Sequence, residues 1–523
     1  MRLSGSALFI CFLILGITAC KDKSREIPLK EIDNVNEIPL MEDYRPQFHF
    51  TPKEKWMNDP NGLVYNKGIY HLFYQYYPED IVWGPMHWGH AISKDMVFWE
   101  HRPIALYPDE KGLIFSGSAV VDKENTSGFG TPENPPLVAI FTYHNMEGEK
   151  SGELDFQTQG IAYSLDNGEN WEKYNGNPVI DNPGIKDFRD PKVFWHQASE
   201  RWIMVLVAGD RAQFYNSKDL KSWEFMSEFG KEHGAHGGVW ECPDLFPLKV
   251  DGDGAEKWVL IISINPGAPN GGSGTQYFIG DFDGTTFTTS QQDAKWIDWG
   301  TDNYAGVTYN EVPDDTRLFI GWMSNWSYAR DTPTKQWRSA MTLPRTLTLR
   351  SFGDEILLAN YPIDGLDAIL RKEEARNLSI PAMGTDSIQY NHLNQGEVRF
   401  TTEAKNFNLS FSNDKNEKVI LTLDGTEKIF TLDRTKSGKT DFQADFGSIV
   451  QKMPVQDLPE QENEFRILID WSSIEIFINK GQYVMTAQIF PNENFNELKM
   501  VNSSDSVMTI NNLEVSKAES VWR

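Results

Sequence analysis

Ile69-Tyr-His-Leu-Phe-Tyr-Gln75 is a short run of aliphatic and aromatic residues, and it has four successors: Leu137-Val-Ala-Ile-Phe-Thr-Tyr143, Trp202-Ile-Met-Val-Leu-Val207, Trp258-Val-Leu-Ile-Ile-Ser263 and Leu318-Phe-Ile-Gly-Trp-Met323. They return at roughly 55–70 residues, the interval of a repeated supersecondary unit. Across a short turn, each is preceded by another strand candidate: Asn61-Gly-Leu-Val-Tyr65, Ser116-Gly-Ser-Ala-Val-Val121, Pro191-Lys-Val-Phe-Trp195, Pro243-Asp-Leu-Phe246 and Tyr304-Ala-Gly-Val-Thr-Tyr309. A fainter echo runs in step, with Ser93-Lys-Asp95 leading to Trp99, Ser164-Leu-Asp166 to Trp171 and Ser217-Lys-Asp219 to Trp223; each reads as a turn entering an outer strand. Five such units predict an all-β chain with a five-bladed β-propeller over residues 46–350, its first strands lining a central axis. A sandwich of that length would not explain the repeat.

Working outward, residues 351–374, with Ile363-Asp-Gly-Leu-Asp-Ala-Ile-Leu-Arg371, read as a connector. From 375 to 523 the long repeat gives way to short alternating strands such as Val398-Arg-Phe-Thr-Thr402 and Phe407-Asn-Leu-Ser-Phe411, which predict a C-terminal β-sandwich. At the other end, an apolar run from Ala7 to Ile17 closes on Ile17-Thr-Ala-Cys20, the pattern of a signal peptide over residues 1–19. The run falls short of the roughly 20 residues needed to span a bilayer. Its small-residue cleavage site stands at a cysteine and looks like a bacterial lipobox. Cys20 is therefore expected to carry a lipid, the protein to be an exported lipoprotein anchored at the outer membrane, and residues 20–45 to be a flexible tether. With Cys11 in the signal and Cys20 lipidated, Cys242 stands alone in the mature fold, so no disulfide is expected within it.

A net charge of -26 excludes nucleic acid and an anionic membrane surface as partners, since both demand a basic face. A neutral polymer is compatible with it, and 17 Trp offer rings to stack on sugars. Three acids occupy equivalent places at or just before the first strands of different units: Asp59 in Trp56-Met-Asn-Asp-Pro-Asn-Gly62, Asp190 in Phe188-Arg-Asp-Pro191 and Glu241 in Val239-Trp-Glu-Cys-Pro-Asp244. One acid before a proline is ordinary turn chemistry. Three in register converge on the mouth of one channel. Retaining glycoside hydrolysis requires one carboxylate to attack and one carboxylic acid to protonate the leaving oxygen, while a third can steady charge on the ring. A carboxyl beside aromatic rings and another carboxylate keeps its proton, which assigns the acid to Glu241 beside Trp240. Arg189, if beside Asp190 in space as in sequence, would hold Asp190 ionised.

Trp56-Met-Asn-Asp-Pro-Asn-Gly62, Phe115-Ser-Gly-Ser118, Arg189-Asp-Pro191 and Trp240-Glu-Cys-Pro-Asp244 together resemble the motif set of glycoside hydrolase family 32, and Ile469-Asp-Trp-Ser-Ser-Ile-Glu-Ile-Phe477 is similar to its sandwich domain. The resemblance implies a propeller joined to a sandwich, no cofactor, and a double displacement through a covalent fructosyl-enzyme. By position Asp59 matches the nucleophile, Glu241 the acid/base and Asp190 the transition-state stabiliser. Asn58, Gln75, Trp83, Ser116, Arg189 and Trp322 match residues lining the terminal-fructose subsite. The expected partners are fructan polysaccharides or oligosaccharides (levan, inulin) and sucrose, cut most readily from the chain end.

An endo-levanase is the nearest alternative, because loop height around the pocket is not written in the motifs. An inverting five-bladed arabinanase or xylosidase is more remote, and a carboxylate separation of roughly 5–5.5 Å rather than 6.5–9.5 Å separates retention from inversion. A non-catalytic sugar-capture protein would be expected to lack at least one acid, and all three are present. Fructosyl transfer shares the covalent intermediate. His87 and His90 lack a nearby acidic or thiolate partner, so no metal is expected. Pro266-Gly-Ala-Pro-Asn-Gly-Gly-Ser-Gly274 lacks the Lys-Ser/Thr of a phosphate loop and reads as a blade loop near the channel mouth.

Overall fold

The computed structural model describes residues 40–522 apart from Asp253, Asp354 and Asp457. The expected signal peptide, the lipid acceptor Cys20 and the tether as far as residue 39 lie outside the described residues. The tether's last residues are not loose. Arg45 is fully buried, its guanidinium 4.4 Å over the Trp337 ring and donating to Glu42, Thr51, Pro52 O and Lys53 O, so folded structure begins before residue 46.

Five antiparallel sheets follow one another along the chain. Their innermost strands are Lys55–Asn66, Leu113–Val121, Phe188–His196, Val239–Lys249 and Tyr304–Thr308. Each packs on the next and the fifth returns to the first, closing a ring. Trp337–Arg338, from the segment after the fifth sheet's second strand, pairs in parallel with Lys55 and Trp56 and fastens the last sheet to the first. The apolar runs quoted above are second strands. Leu137–His144 is buried throughout, and Arg201–Ala208 at every position after the first, because a mid-blade strand has a neighbouring blade on each face. That is why they read as continuous rather than alternating. The Ser-Asp-Trp echo is the turn from third to fourth strand. Asp95 Oδ1 accepts the Val97 and Phe98 amides at 2.9 Å, Asp219 Oδ1 those of Lys221 and Ser222, and the indoles of Trp99, Trp171 and Trp223 each donate at 3.1 Å to the carbonyl three residues back.

The propeller boundary differs from the expectation. Glu355–Pro362, inside the expected connector, is the fifth sheet's outer strand and pairs along its whole length with Arg345–Phe352. The connector shrinks to a 3₁₀ turn at Asp364–Ile369, and the first sandwich strand is Leu370–Ile380. That strand is an edge rich in exposed charge, Leu-Arg-Lys-Glu-Glu-Ala-Arg, so its alternation was masked. The sandwich consists of two six-stranded sheets. Strands such as Asn406–Ser412 and Lys418–Asp424 bury every second residue (Phe407, Leu409, Phe411; Val419, Leu421, Leu423) in one shared core. The glycine-rich loop leaves the second strand of the fourth blade at the end that pairs with Val239–Glu241, donates no charge to the site, accepts the Trp326 amide on Ser273 Oγ, and also links the blade to the sandwich through reciprocal bonds between Asn270 and the Lys452 backbone. Gly272 takes a positive φ of 65°, and a Cβ there would stand 2.0 Å from the Asn325 amide oxygen.

Propeller and sandwich meet through buried charge. Arg345 reaches Asp298 at 3.0 Å and Asn360 at 2.7 Å within the propeller, and Glu475 at 2.7 Å and Thr486 at 2.6 Å in the sandwich. His49 sits between Asp470 (2.8 Å) and Glu475 (2.9 Å) with no exposure at all. Burial opposes a charge on this ring, but the two carboxylates outweigh it and push its pKa up to about 9. A raised value means the stabilisation is whole below the ordinary histidine pKa of about 6.5 and is lost as the pH climbs through the folded value. The thermal unfolding midpoint is therefore expected to fall between about pH 7 and about pH 9.5. His49→Gln should be less stable at neutral pH and lack that decline; an identical slope in both proteins would refute the assignment.

Candidate active site

The three acids lie where β-bulges interrupt the inner strands. Pairing slips by one residue between Met57 and Pro60, around Asp59, and again between Asn61 and Val64, Ile114 and Gly117, Glu241 and Asp244, and Tyr304 and Val307, and in the third blade opposite Val205–Val207. Asp190, Cys242 and Ala305 take left-handed φ of 60°, 46° and 52° there, which costs L-residues energy and marks a backbone bent for a purpose. A bulge re-aims the side chain beside it, and because the blades radiate from one axis, the re-aimed carboxylates converge.

Asp59 accepts the Ser116 hydroxyl at 2.6 Å, the Asn58 amide at 3.0 Å and the Cys242 thiol at 3.5 Å. Asn58 is itself held by the Trp56 indole at 2.7 Å. Burial and then the Glu241 charge push the Asp59 pKa above the ordinary range, and its three donors pull it back. Asp190 accepts the Cys242 amide at 3.1 Å, and its own amide donates to Thr142 Oγ1. Glu241 takes Arg189 Nη2 on one oxygen at 2.7 Å and the Tyr304 hydroxyl on the other.

Two expectations change here. Arg189 is placed chiefly on Glu241 and Asp187 (2.6 Å), and its distance to Asp190 is 3.8 Å. Burial outweighs the pull of that cation, and with the charges of Glu241 and Asp59 it lifts the Asp190 pKa to about 7. Trp240 is not beside the Glu241 carboxyl. Neighbours on a strand point to opposite sides, and Trp240 is fully buried among Phe229, Phe278 and Leu245, with its indole donating to Ala235 O. The aromatic group that meets Glu241 is the phenol of Tyr304.

The expected sugar-lining residues divide into two groups. Arg189 and Trp83 are partly exposed, with Trp83 edge-on to Phe115 at 6.1 Å. Asn58, Ser116 and Gln75 are buried; the first two donate to Asp59, and the Gln75 amide is spent on Asn61 Oδ1 and Ile114 O. Trp322 corrects the expectation. It is fully buried against Trp56, Tyr304 and Trp326, because its strand runs mid-blade; Trp326, in the following loop, is the partly exposed ring of that group. Tyr304, Cys242, Asp187 and Thr142 were missed as site residues. Tyr304 could have been found by the register that singled out the acids, since it opens the fifth inner strand. Beneath the acids the axis is nearly filled. A void of about 10 Å³ remains, and Asn310 ties Ala119 O to Val193 O below it.

Carboxyl titration followed by infrared difference spectroscopy should find Asp190 protonating near pH 7. Asp59→Asn removes a repelling charge and Glu241→Gln also frees Arg189 for Asp190, so both should lower that midpoint. An unmoved midpoint in both would break the described coupling.

Comparison with known proteins adds three findings. The model of the glycosyl hydrolases family 32 N-terminal domain matches residues 49–362, and that of the family 32 C terminal matches residues 368–517. The chain is 46% identical over 492 residues to a levanase of Bacillus subtilis, covering 92% of this chain and 71% of that one, and 40% identical over 514 residues to an extracellular exo-inulinase of Aspergillus niger, covering 92% and 95%. Among solved structures, exo-inulinase from Aspergillus awamori superposes with a TM-score of 0.83 at 37% identity over 93% of this chain and 99% of that one.

Proposed function

The chain belongs to glycoside hydrolase family 32, and from that premise we infer a β-fructosidase that hydrolyses β-D-fructofuranosyl bonds of fructans and of sucrose. The observation that carries the reading is the convergence of Asp59, Asp190 and Glu241 on one axis with Arg189 among them. Asp59, held by three donors, attacks the anomeric carbon of the fructosyl unit. Glu241 gives its proton to the departing glycosidic oxygen, then takes one from the water that cleaves the fructosyl-enzyme, so configuration is retained. Asp190 accepts hydroxyls of the sugar. Those bonds favour its ionised form over the protonated one that burial and the neighbouring acids favour in their absence. Trp83, Arg189 and Trp326 wall the terminal-fructose subsite, while Asn58, Ser116 and Gln75 hold its floor.

Chain-end cleavage is the finer part of the inference. Its support is the likeness to an extracellular exo-inulinase, 40% identical over 92% of this chain, together with an axial void of about 10 Å³ below the acids that leaves no room for a further ring down the axis. An N-terminal lipid at Cys20, holding the enzyme at the outer membrane, belongs to the same proposal; Cys20→Ser should release activity from the membrane fraction.

Asp59→Asn and Glu241→Gln are each expected to lower kcat by at least about a thousandfold while the unfolding midpoint stays close to wild type. Near-normal turnover in either would remove that residue from its role. Incubation with levan, inulin and sucrose separately should give fructose alone from the earliest time points. An early ladder of oligosaccharides from either polymer would replace chain-end with internal cleavage, and no product from any of the three would overturn the function.

A further inference from the structure

Below the acids the propeller axis holds a second charged pair. Lys192 follows Asp190 by two residues on the third inner strand, and Asp244 follows Glu241 by three on the fourth. Lys192 Nζ stands 3.0 Å from Asp244 Oδ2, with side-chain exposures of 4% and 0%. The same carboxylate oxygen accepts both the amide and the hydroxyl of Thr308 at 2.7 Å, and Lys192 also donates to Thr308 O. Thr308 belongs to the fifth inner strand, four residues from Tyr304. Arg317, over the Phe246 ring at 5.0 Å, is a second cation acting on Asp244. One carboxylate therefore joins three blades, in each case just past the bulge that aims a side chain at the reaction. Lys192 also borders the void that Asp190, Ser116 and Cys242 line.

A pair buried this deeply is weak evidence of a stabilising device, because desolvating both ions cancels much of their attraction, and apolar or neutral replacements of like volume are often neutral. Geometry is the better account. Asp190, Cys242 and Ala305 are held in left-handed conformations that an unconstrained strand would leave for the regular ladder. We propose that Lys192 and Asp244 are positioning residues for fructosyl transfer, a cross-blade ion pair that keeps the third, fourth and fifth inner strands in the phase that points Asp190, Glu241 and Tyr304 at one fructosyl unit. This rests on the roles proposed above for Asp190 and Glu241.

The test is K192M/D244N, which removes both charges of the pair, leaves Arg317 to the fields of Asp315 and Glu311, and preserves shape and an acceptor for Thr308. The folded double variant is expected to keep KM within about twofold and an unfolding midpoint near wild type, while kcat falls about 10- to 100-fold, the loss that follows misplacement of reacting groups by up to about 1 Å. Wild-type kcat, or a loss matched by the fraction unfolded, would overturn the proposal. T308V removes only the hydroxyl bond to Asp244 and serves should the double variant not fold; a kcat loss of about threefold to tenfold at constant KM is expected, and an unchanged kcat overturns the proposal. Wild-type inactivity on levan, inulin and sucrose would sink the functional reading and this inference with it, whereas an active wild type with unaffected variants sinks the inference alone.

Discussion

Three carboxylates buried at one mouth would repel one another out of any fold that did not answer their charge, and a single guanidinium does so here. Arg189 lies 2.7 Å from Glu241, 2.6 Å from Asp187 and 3.8 Å from Asp190, and their combined field makes its own proton harder to remove despite burial. One cation cannot neutralise every acid. The remainder is met by neutral donors (Ser116, Asn58 and Cys242 on Asp59, Tyr304 on Glu241) and by a proton held on Asp190 near pH 7. The excess negative charge is thus what leaves a transferable proton in the site at neutral pH.

Holding that arrangement falls to the ring. The acids come from blades far apart in sequence, and no local interaction relates Asp59 to Glu241. Their relation is set by packing between inner strands, by the parallel pairing of Lys55 and Trp56 with Trp337 and Arg338, and by Asn310 and Asp244, each of which bonds to more than one blade. Outside the ring, the sandwich grips the segments that close it. Glu475 receives His49, Arg345 and the Leu343 amide, which together come from the chain before the first blade and from the fifth. The sandwich carries no acid of the site, yet it holds down both ends of the propeller.

Apolar area explains the stability of the blades but not their aim. Second strands such as Leu137–His144 are packed on both faces and tolerate little movement. Inner strands are bulged and partly left-handed, and buried polar bonds carry their register. The molecule therefore divides its work, with dispersion and burial setting the scaffold and hydrogen bonds and ion pairs setting the angles at the axis.

The repeat of apolar runs, the register of the acids and the alternating strands after residue 375 all made the architecture legible in the sequence, because strand patterning is local and each blade restates it. The motifs also placed Asp59, Asp190 and Glu241 together. What stayed hidden depends on which way a side chain points after a bulge or across a blade. Trp240 adjoins Glu241 in the chain but turns into the core, Arg189 adjoins Asp190 but binds Glu241, and Trp322 lies behind the site that Trp326 partly faces. Tyr304 entered the site from a strand read only as scaffold. Glu355–Pro362 was taken for a connector because its partner across the hairpin, not its composition, makes it a strand. Sequence fixes what each strand can bury; contacts between residues distant in the chain, through closure of the ring, fix where its polar side chains go.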